Sequence, residues 1–539
     1  MRLMFFCRFS RYWRLWTSAG LAMVLSGIQL PRAQQRFTST TALLTLDVSV
    51  LDKDGVPVPN LRPEDFVVTV DGETEPVRTM VFLATTAASP NIPLKRDPKT
   101  PLPIETGAVS HESEPDPRLF VVMIDDLSIA PTESKGLLVA AERFISRVPS
   151  RDWVGLTTTS GTTTVNPSLD RSIVLAKLKR SFGQMNDPRR EGQVFVGFSE
   201  AQLIDQGAEV LLKNLIVARC RIPDSIVNSK SVEQLVAEYQ CAHDLDRRVR
   251  DNARFARTNT RNQLDAYISV IKAMAFAPGV KQLVVVTGGV AAAPGPPTEL
   301  IRVAKAAAAA GVQLTMMMEE PDATDISLRN PRDFATDQQQ IMQQVETLAE
   351  ISGGQFYRVI GQGDRFFDRV LTSAAAVYRI GVDLPAKVPA TGQYNIKVAT
   401  NRPGVRVLAS RYASPPPKPL ELTAEQQVQR AVRNGELLYA VPIEMNADVV
   451  KIEGGSKSAI RVLINVPAST PSPVAGVFGM VGSDGQLRSG GRNFTRARES
   501  DPYHSEFLVP VTAGIYDLRL AIRDGTGSVG AVAQRVVVK

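Results

Sequence analysis

The run Leu119-Phe120-Val121-Val122-Met123-Ile124 places six apolar residues in a row and then stops at Asp125-Asp126-Leu127-Ser128. An unbroken apolar run predicts a strand buried on both faces, as in the middle of a parallel sheet. Ligands on such sheets meet the carboxyl ends of the strands, which is where Asp125, Asp126 and Ser128 fall. Leu137, Leu138, Ala141, Phe144, Ile145 and Val148 follow at the spacing of one helical face.

The same alternation continues downstream. Asp152-Trp153-Val154-Gly155-Leu156-Thr157 reads as a second strand, and 162–165 as a third after the Ser160-Gly161 turn. A helix over 171–182, a core strand over 282–287, a helix over 298–310 stopped by Gly311, and a strand over 312–318 come next. Ile341, Val345, Leu348 and Ile351 form another helical stripe, ended by Gly353-Gly354 before a strand over 355–359. Repeated strand–helix units over 118–384 predict an α/β fold with a doubly wound, mostly parallel sheet. Residues 184–257 interrupt it as a helical insertion, read as two helices over 200–219 and 231–257.

Either side of this body the period changes to two. Leu44, Leu46, Val48 and Val50 alternate with polar residues, and 36–84 reads as a small β module with turns at Asp52-Lys53-Asp54-Gly55 and Asp71-Gly72. Residues 85–117, rich in Pro, Thr, Ser and Glu, read as a linker. Residues 385–412 read as a β extension, 413–419 as a proline-rich spacer, and 420–539 as a C-terminal β-sandwich of short strands after one helix.

The 539 residues leave room for several domains, and 44% hydrophobic against 22% charged residues is a globular composition. The net charge of +7 changes little. Five positive charges, on Arg2, Arg8, Arg11, Arg14 and Arg32, stand in residues 1–33, which hold no acid. The remainder is nearly neutral and has no basic stripe interleaved with aromatics, so nucleic acid is not an expected partner. Arginines followed by the apolar run 15–30 give residues 1–33 the form of a secretory signal peptide, with an uncleaved membrane anchor as the alternative. The expected location is the periplasm, the cell envelope or the exterior. Export favours a Cys220–Cys241 disulfide over two buried thiols.

Catalytic patterns are missing from the sequence. Its three histidines, His111, His243 and His504, stand in no pattern of nucleophile and base, and there is neither a Gly-x-Ser-x-Gly elbow nor a phosphate-binding loop ending in Lys-Ser/Thr. The expectation is a protein that is not an enzyme.

With these residues in place, the chain resembles the von Willebrand factor type A (vWA) domain. More narrowly, it is similar to the bacterial exported proteins called VWFA-related Acidobacterial domain proteins. The resemblance rests on the strand ending in Asp125-Asp126-Leu127-Ser128, on the strand over 153–159 with Ser160-Gly161, and on Arg257-Thr258-Asn259-Thr260. Asp52-Lys53-Asp54-Gly55, Glu64-Asp65-Phe66 and Tyr378-Arg379-Ile380-Gly381-Val382 extend it over about residues 40–412. It implies a metal-ion-dependent adhesion site of the pattern Asp-x-Ser-x-Ser, a Thr in a distant loop, and an Asp after the core strand. Asp126, Ser128 and Thr258 match, Asp125 stands beside them, and Ala130 and Gly288 replace the second Ser and the last Asp. The implied site is a degenerate one, with Mg²⁺ held weakly or a vestigial site and no other cofactor. The implied function is binding of a protein partner, or adhesion. The alternative is a structural part of an envelope assembly without metal-dependent contacts.

Overall fold

A strand that is apolar on both faces needs both of them covered, and Leu119–Asp125 is buried at every position, at the centre of a six-stranded sheet. The computed structural model describes residues 43–84, 117–131, 134–190, 195–275, 277, 279–319, 331–359, 364–384, 389, 392–415, 422–436, 438–451, 458–482 and 484–538. The signal or anchor at 1–33, nearly all of the linker at 85–117 and most of the proline-rich spacer lie outside the described residues. Among the described residues no helix is long and apolar enough to cross a membrane.

Across the central sheet the order is Gln355–Val359, Val312–Glu319, Lys281–Thr287, Leu119–Asp125, Trp153–Thr158, Thr164–Ser168. The first five strands are parallel and the last is antiparallel to its neighbour. Numbered along the chain this is the order 3-2-1-4-5-6 read from the other edge, the doubly wound arrangement. Alternate side chains of the central strand feed two cores. Leu119, Val121 and Met123 pack with the long helix Gln240–Met274 and the helices Thr298–Ala310 and Pro331–Ile351. Phe120, Val122 and Ile124 pack with the helix Ser134–Arg147 on the other face.

The strands before and after this body are partners of each other. Leu43–Leu51 lies between Ala376–Asp383 and Arg406–Leu408, with Val77–Ala84 on the far side of Ala376–Asp383. Phe66–Val70 pairs with Tyr394–Thr400 in a second four-stranded sheet, and one apolar cluster joins the two. Tyr378 sits in that cluster, accepting from the Leu61 N–H at 3.1 Å and donating to the Val58 carbonyl at 2.8 Å. The sequence pattern draws 36–84 and 385–412 as separate pieces and leaves 376–383 with the α/β body. The structure unites all three because neither flank alone has enough strands to cover its own apolar face.

The insertion also differs from the two expected helices. It holds Phe198–Asp205, Glu209–Cys220, Asp224–Ser229 and Val232–Glu238, around a core they share with Ala242, Leu245, Val249 and Ala253 of the long helix. Gly207, at φ 103°, separates the first two, while Arg221 in the left-handed region and Pro223 end the second. The last helix does not stop at 257. It runs 35 residues from Gln240 to Met274, since no Gly or Pro interrupts that stretch. Cys220 and Cys241 are joined, with their Cα atoms 5.7 Å apart.

Beyond the helix Ala424–Asn434 the chain forms a five-stranded and a three-stranded antiparallel sheet that share an apolar cluster. The Ser160-Gly161 turn of the α/β body is pressed against this region. A β-carbon on Gly161 would lie 1.7 Å from the Arg535 carbonyl oxygen.

Candidate functional site

In a doubly wound sheet the ligand crevice opens where strand order reverses, between Leu119–Asp125 and Lys281–Thr287. Asp125 ends the first strand and Thr287 the second, and they pair in register. Successive strand residues face opposite ways, and the two carboxylates diverge accordingly.

Asp125 turns toward the long helix and is fully buried. Its Oδ2 accepts from Ser128 Oγ and Thr287 Oγ1, each at 2.6 Å, from the Tyr267 hydroxyl at 2.8 Å and from Gln263 Nε2. Its Oδ1 accepts from Thr159 Oγ1 at 2.8 Å. Gln263 Nε2 also reaches the Gly289 carbonyl at 2.8 Å, and two acceptors on one atom fix it as the amide nitrogen. Burial and the neighbouring Asp125 charge push the Tyr267 hydroxyl well above its ordinary range, so it stays a donor.

Asp126 turns the other way, to the Ser160-Gly161 turn. Its Oδ1 accepts from the Ser160 N–H at 2.9 Å, and its Oδ2 from Ser160 Oγ and from Gln184 Nε2 at 2.6 Å. Burial is the largest influence on this carboxyl. Against the Ser160 and Gln184 donors, and with Asp125 adding to it, burial raises the carboxyl from 3.8 to about 6. The folded chain therefore holds a proton that the unfolded chain releases. The stability this proton contributes is full below about pH 4 and is lost as pH rises through about 6. We expect wild type to lose about 2 kcal/mol relative to Asp126→Asn between pH 4 and 7, read from paired denaturant titrations. Parallel curves for the two proteins would refute it.

The four residues expected to form one cation site are therefore not brought together as a set. Ser128 bonds to Asp125 rather than Asp126. Thr258 is an exposed residue in the middle of the long helix, not in a loop. Its neighbours do the reaching: Asn259 Nδ2 donates to the Leu127 carbonyl at 3.1 Å, and Gln263 and Tyr267 reach Asp125. Gly288 has no space for the missing carboxylate, since a β-carbon there would lie 2.1 Å from the Ser128 carbonyl oxygen. Mg²⁺ requires oxygen ligands placed almost octahedrally around it. Here each carboxylate oxygen faces donors of the chain itself, and the residues present do not fit that ion. Among the described residues no group of three or more His, Cys, Asp or Glu is arranged to hold a metal.

Sequence reasoning missed Thr159, Gln184, Gln263, Tyr267 and Thr287. The signal for two of them was present. Thr260, Gln263 and Tyr267 are polar residues on the face of the long helix that also carries Ala256, Leu264 and Ile271 into the core. Polar groups on an apolar face need buried partners.

No family model matches this chain. No curated protein matches it either. Among solved structures it is similar to the pilus adhesin SpaC from Lactobacillus rhamnosus GG, at 8% identity over 78% of this chain and 57% of that one, with a TM-score of 0.26. It is also similar to the human COPII-coat protein Sec24c, at 9% identity over 79% of this chain and 44% of that one, TM-score 0.21. A Northeast Structural Genomics Consortium target, SoR45, shares 10% identity over 19% of this chain and 89% of that one, TM-score 0.14. The chain thus spans less than two thirds of the adhesin and of the coat protein. Likenesses this distant carry no argument about function.

Proposed function

We propose that this is an exported binding protein built on a vWA-type α/β domain with flanking β modules and a C-terminal β-sandwich. It holds a protein partner through contacts that need no bound cation. The observation that supports this reading is Asp125. In an adhesion site of the vWA kind that edge of the sheet presents oxygens to a metal and, through it, to a partner's carboxylate. Here Ser128, Thr287, Tyr267, Gln263 and Thr159 all point hydrogen-bond donors at Asp125. The crevice is filled from within, so recognition falls to the outer surfaces of the domain and its helical insertion.

The test is a crosslinking pull-down from the native envelope with and without chelator. We expect the same partners in both arms, at yields that follow partner concentration. Loss of the partners in chelator would return the contact to a cation. A partner recovered at constant stoichiometry under all conditions would favour a fixed structural component of an envelope assembly.

A further inference from the structure

The opposite, amino-terminal edge of the central sheet holds a second feature, independent of the reading above. A cavity of about 720 Å³ opens where that edge meets the two four-stranded sheets. Lys281, the first residue of its strand, stands in the wall with Asp47, Arg379, Gly311, Ser410 and Tyr412. Most of the remaining lining is alanine and other apolar side chains. This size and character suit a small organic ligand with an apolar body and one polar end.

The lysine is what gives the cavity a chemical preference. It is 9% exposed, and its Nζ donates to the Ala275 carbonyl at 3.0 Å, just past the end of the long helix. Among the described residues it has no carboxylate within ion-pair distance. Asp47 is already committed, its two oxygens taking Arg379 Nε at 2.7 Å and an Arg379 terminal nitrogen at 2.8 Å. Burial therefore prevails, with Asp47 opposing and Arg379 assisting, and the Lys281 ammonium is lowered to about 8. A buried ammonium has three donors to satisfy, and the Ala275 carbonyl takes one of them. Nearby, Lys305 lies over the Tyr412 ring, 5.3 Å from its centre, and leaves the interior of the cavity to Lys281.

We propose that this cavity is a binding site for a small amphiphile, its carboxylate paired with Lys281 and its hydrocarbon body laid along the alanine-rich wall. The incoming carboxylate supplies the ion-pair partner that Asp47 does not, at a buried ammonium where a charge pair is stronger than in open water.

The probes are decanoate and its uncharged analogue decan-1-ol, titrated into the full chain by calorimetry. Wild type should bind decanoate saturably, at one site. Lys281→Met keeps the length and apolar stem of the side chain and should weaken decanoate at least tenfold, while changing decan-1-ol by less than twofold. Lys281→Arg keeps the charge and should retain decanoate binding. A thermal melt of each variant shows that the fold is intact. Equal decanoate affinity in wild type and Lys281→Met would overturn the proposal. So would the absence of saturable decanoate binding to wild type, and in that case Lys281 serves only to cap the long helix.

Discussion

Asp125→Ala is expected to destabilise the protein by about 4 kcal/mol, the largest effect of any single substitution at the switch point. The change removes a buried acceptor that serves Ser128, Thr159, Gln263, Tyr267 and Thr287 at once. A stranded buried donor costs about 1–3 kcal/mol. The total falls short of five such losses because some donors find each other. Ser128 and Thr287 hydroxyls are already 3.0 Å apart, and Gln263 Nε2 is 3.1 Å from the Tyr267 oxygen. Asp125→Asn should cost about half as much, since one oxygen remains and the new amide group faces other donors. Denaturant unfolding in metal-free buffer reads both values as shifts in midpoint. An open cation site predicts the opposite sign there, because removing one carboxylate from a metal-free acidic cluster relieves repulsion. An Asp125→Ala protein as stable as wild type would show that this network does not hold the crevice.

The second large effect is at Gly288. Restoring the adhesion-site pattern with Ala130→Ser and Gly288→Asp looks, from the sequence, like two small additions at a solvated strand end. The structure reverses that expectation. A β-carbon on Gly288 would lie 2.1 Å from the Ser128 carbonyl oxygen, and this oxygen belongs to backbone that cannot rotate aside. The Gly288 N–H also donates to Ser128 Oγ at 2.9 Å, so a shift that makes room pulls on the Asp125 network as well. We expect Gly288→Asp to cost about 3 kcal/mol, alone or in the double variant, with no gain in Mg²⁺ binding. Calorimetric titration with Mg²⁺ and a thermal melt on the same samples check both halves. Tighter Mg²⁺ binding by a stably folded double variant would mean that the crevice opens readily and that the vWA alignment of Asp126, Ser128 and Gly288 describes a working site.

The sequence by itself determined the central strand and what stands at its end. Six apolar residues before Asp125 required a strand buried on both faces, and the structure splits Phe120, Val122 and Ile124 from Leu119, Val121 and Met123 accordingly. The same local rule placed Asp125, Asp126 and Ser128 at the carboxyl end and made the two acids diverge. Partner choice was decided only by the tertiary structure. Leu43–Leu51 pairs with Ala376–Asp383 on one edge and Arg406–Leu408 on the other, both more than three hundred residues later. Apart from Ser128, three residues on, the donors to Asp125 stand 34 to 162 residues away, and nothing near it in sequence announces them. The misplacement of Thr258 has the same origin. A Thr matched by motif was assigned to a loop, but the helix continues through it, and five residues of helix turn Thr258 roughly 140° away from Gln263. Whether a carboxylate faces water, a metal or a tyrosine depends on which helix face is packed against it. That face is selected by burial summed over the whole core, not by the residues on either side.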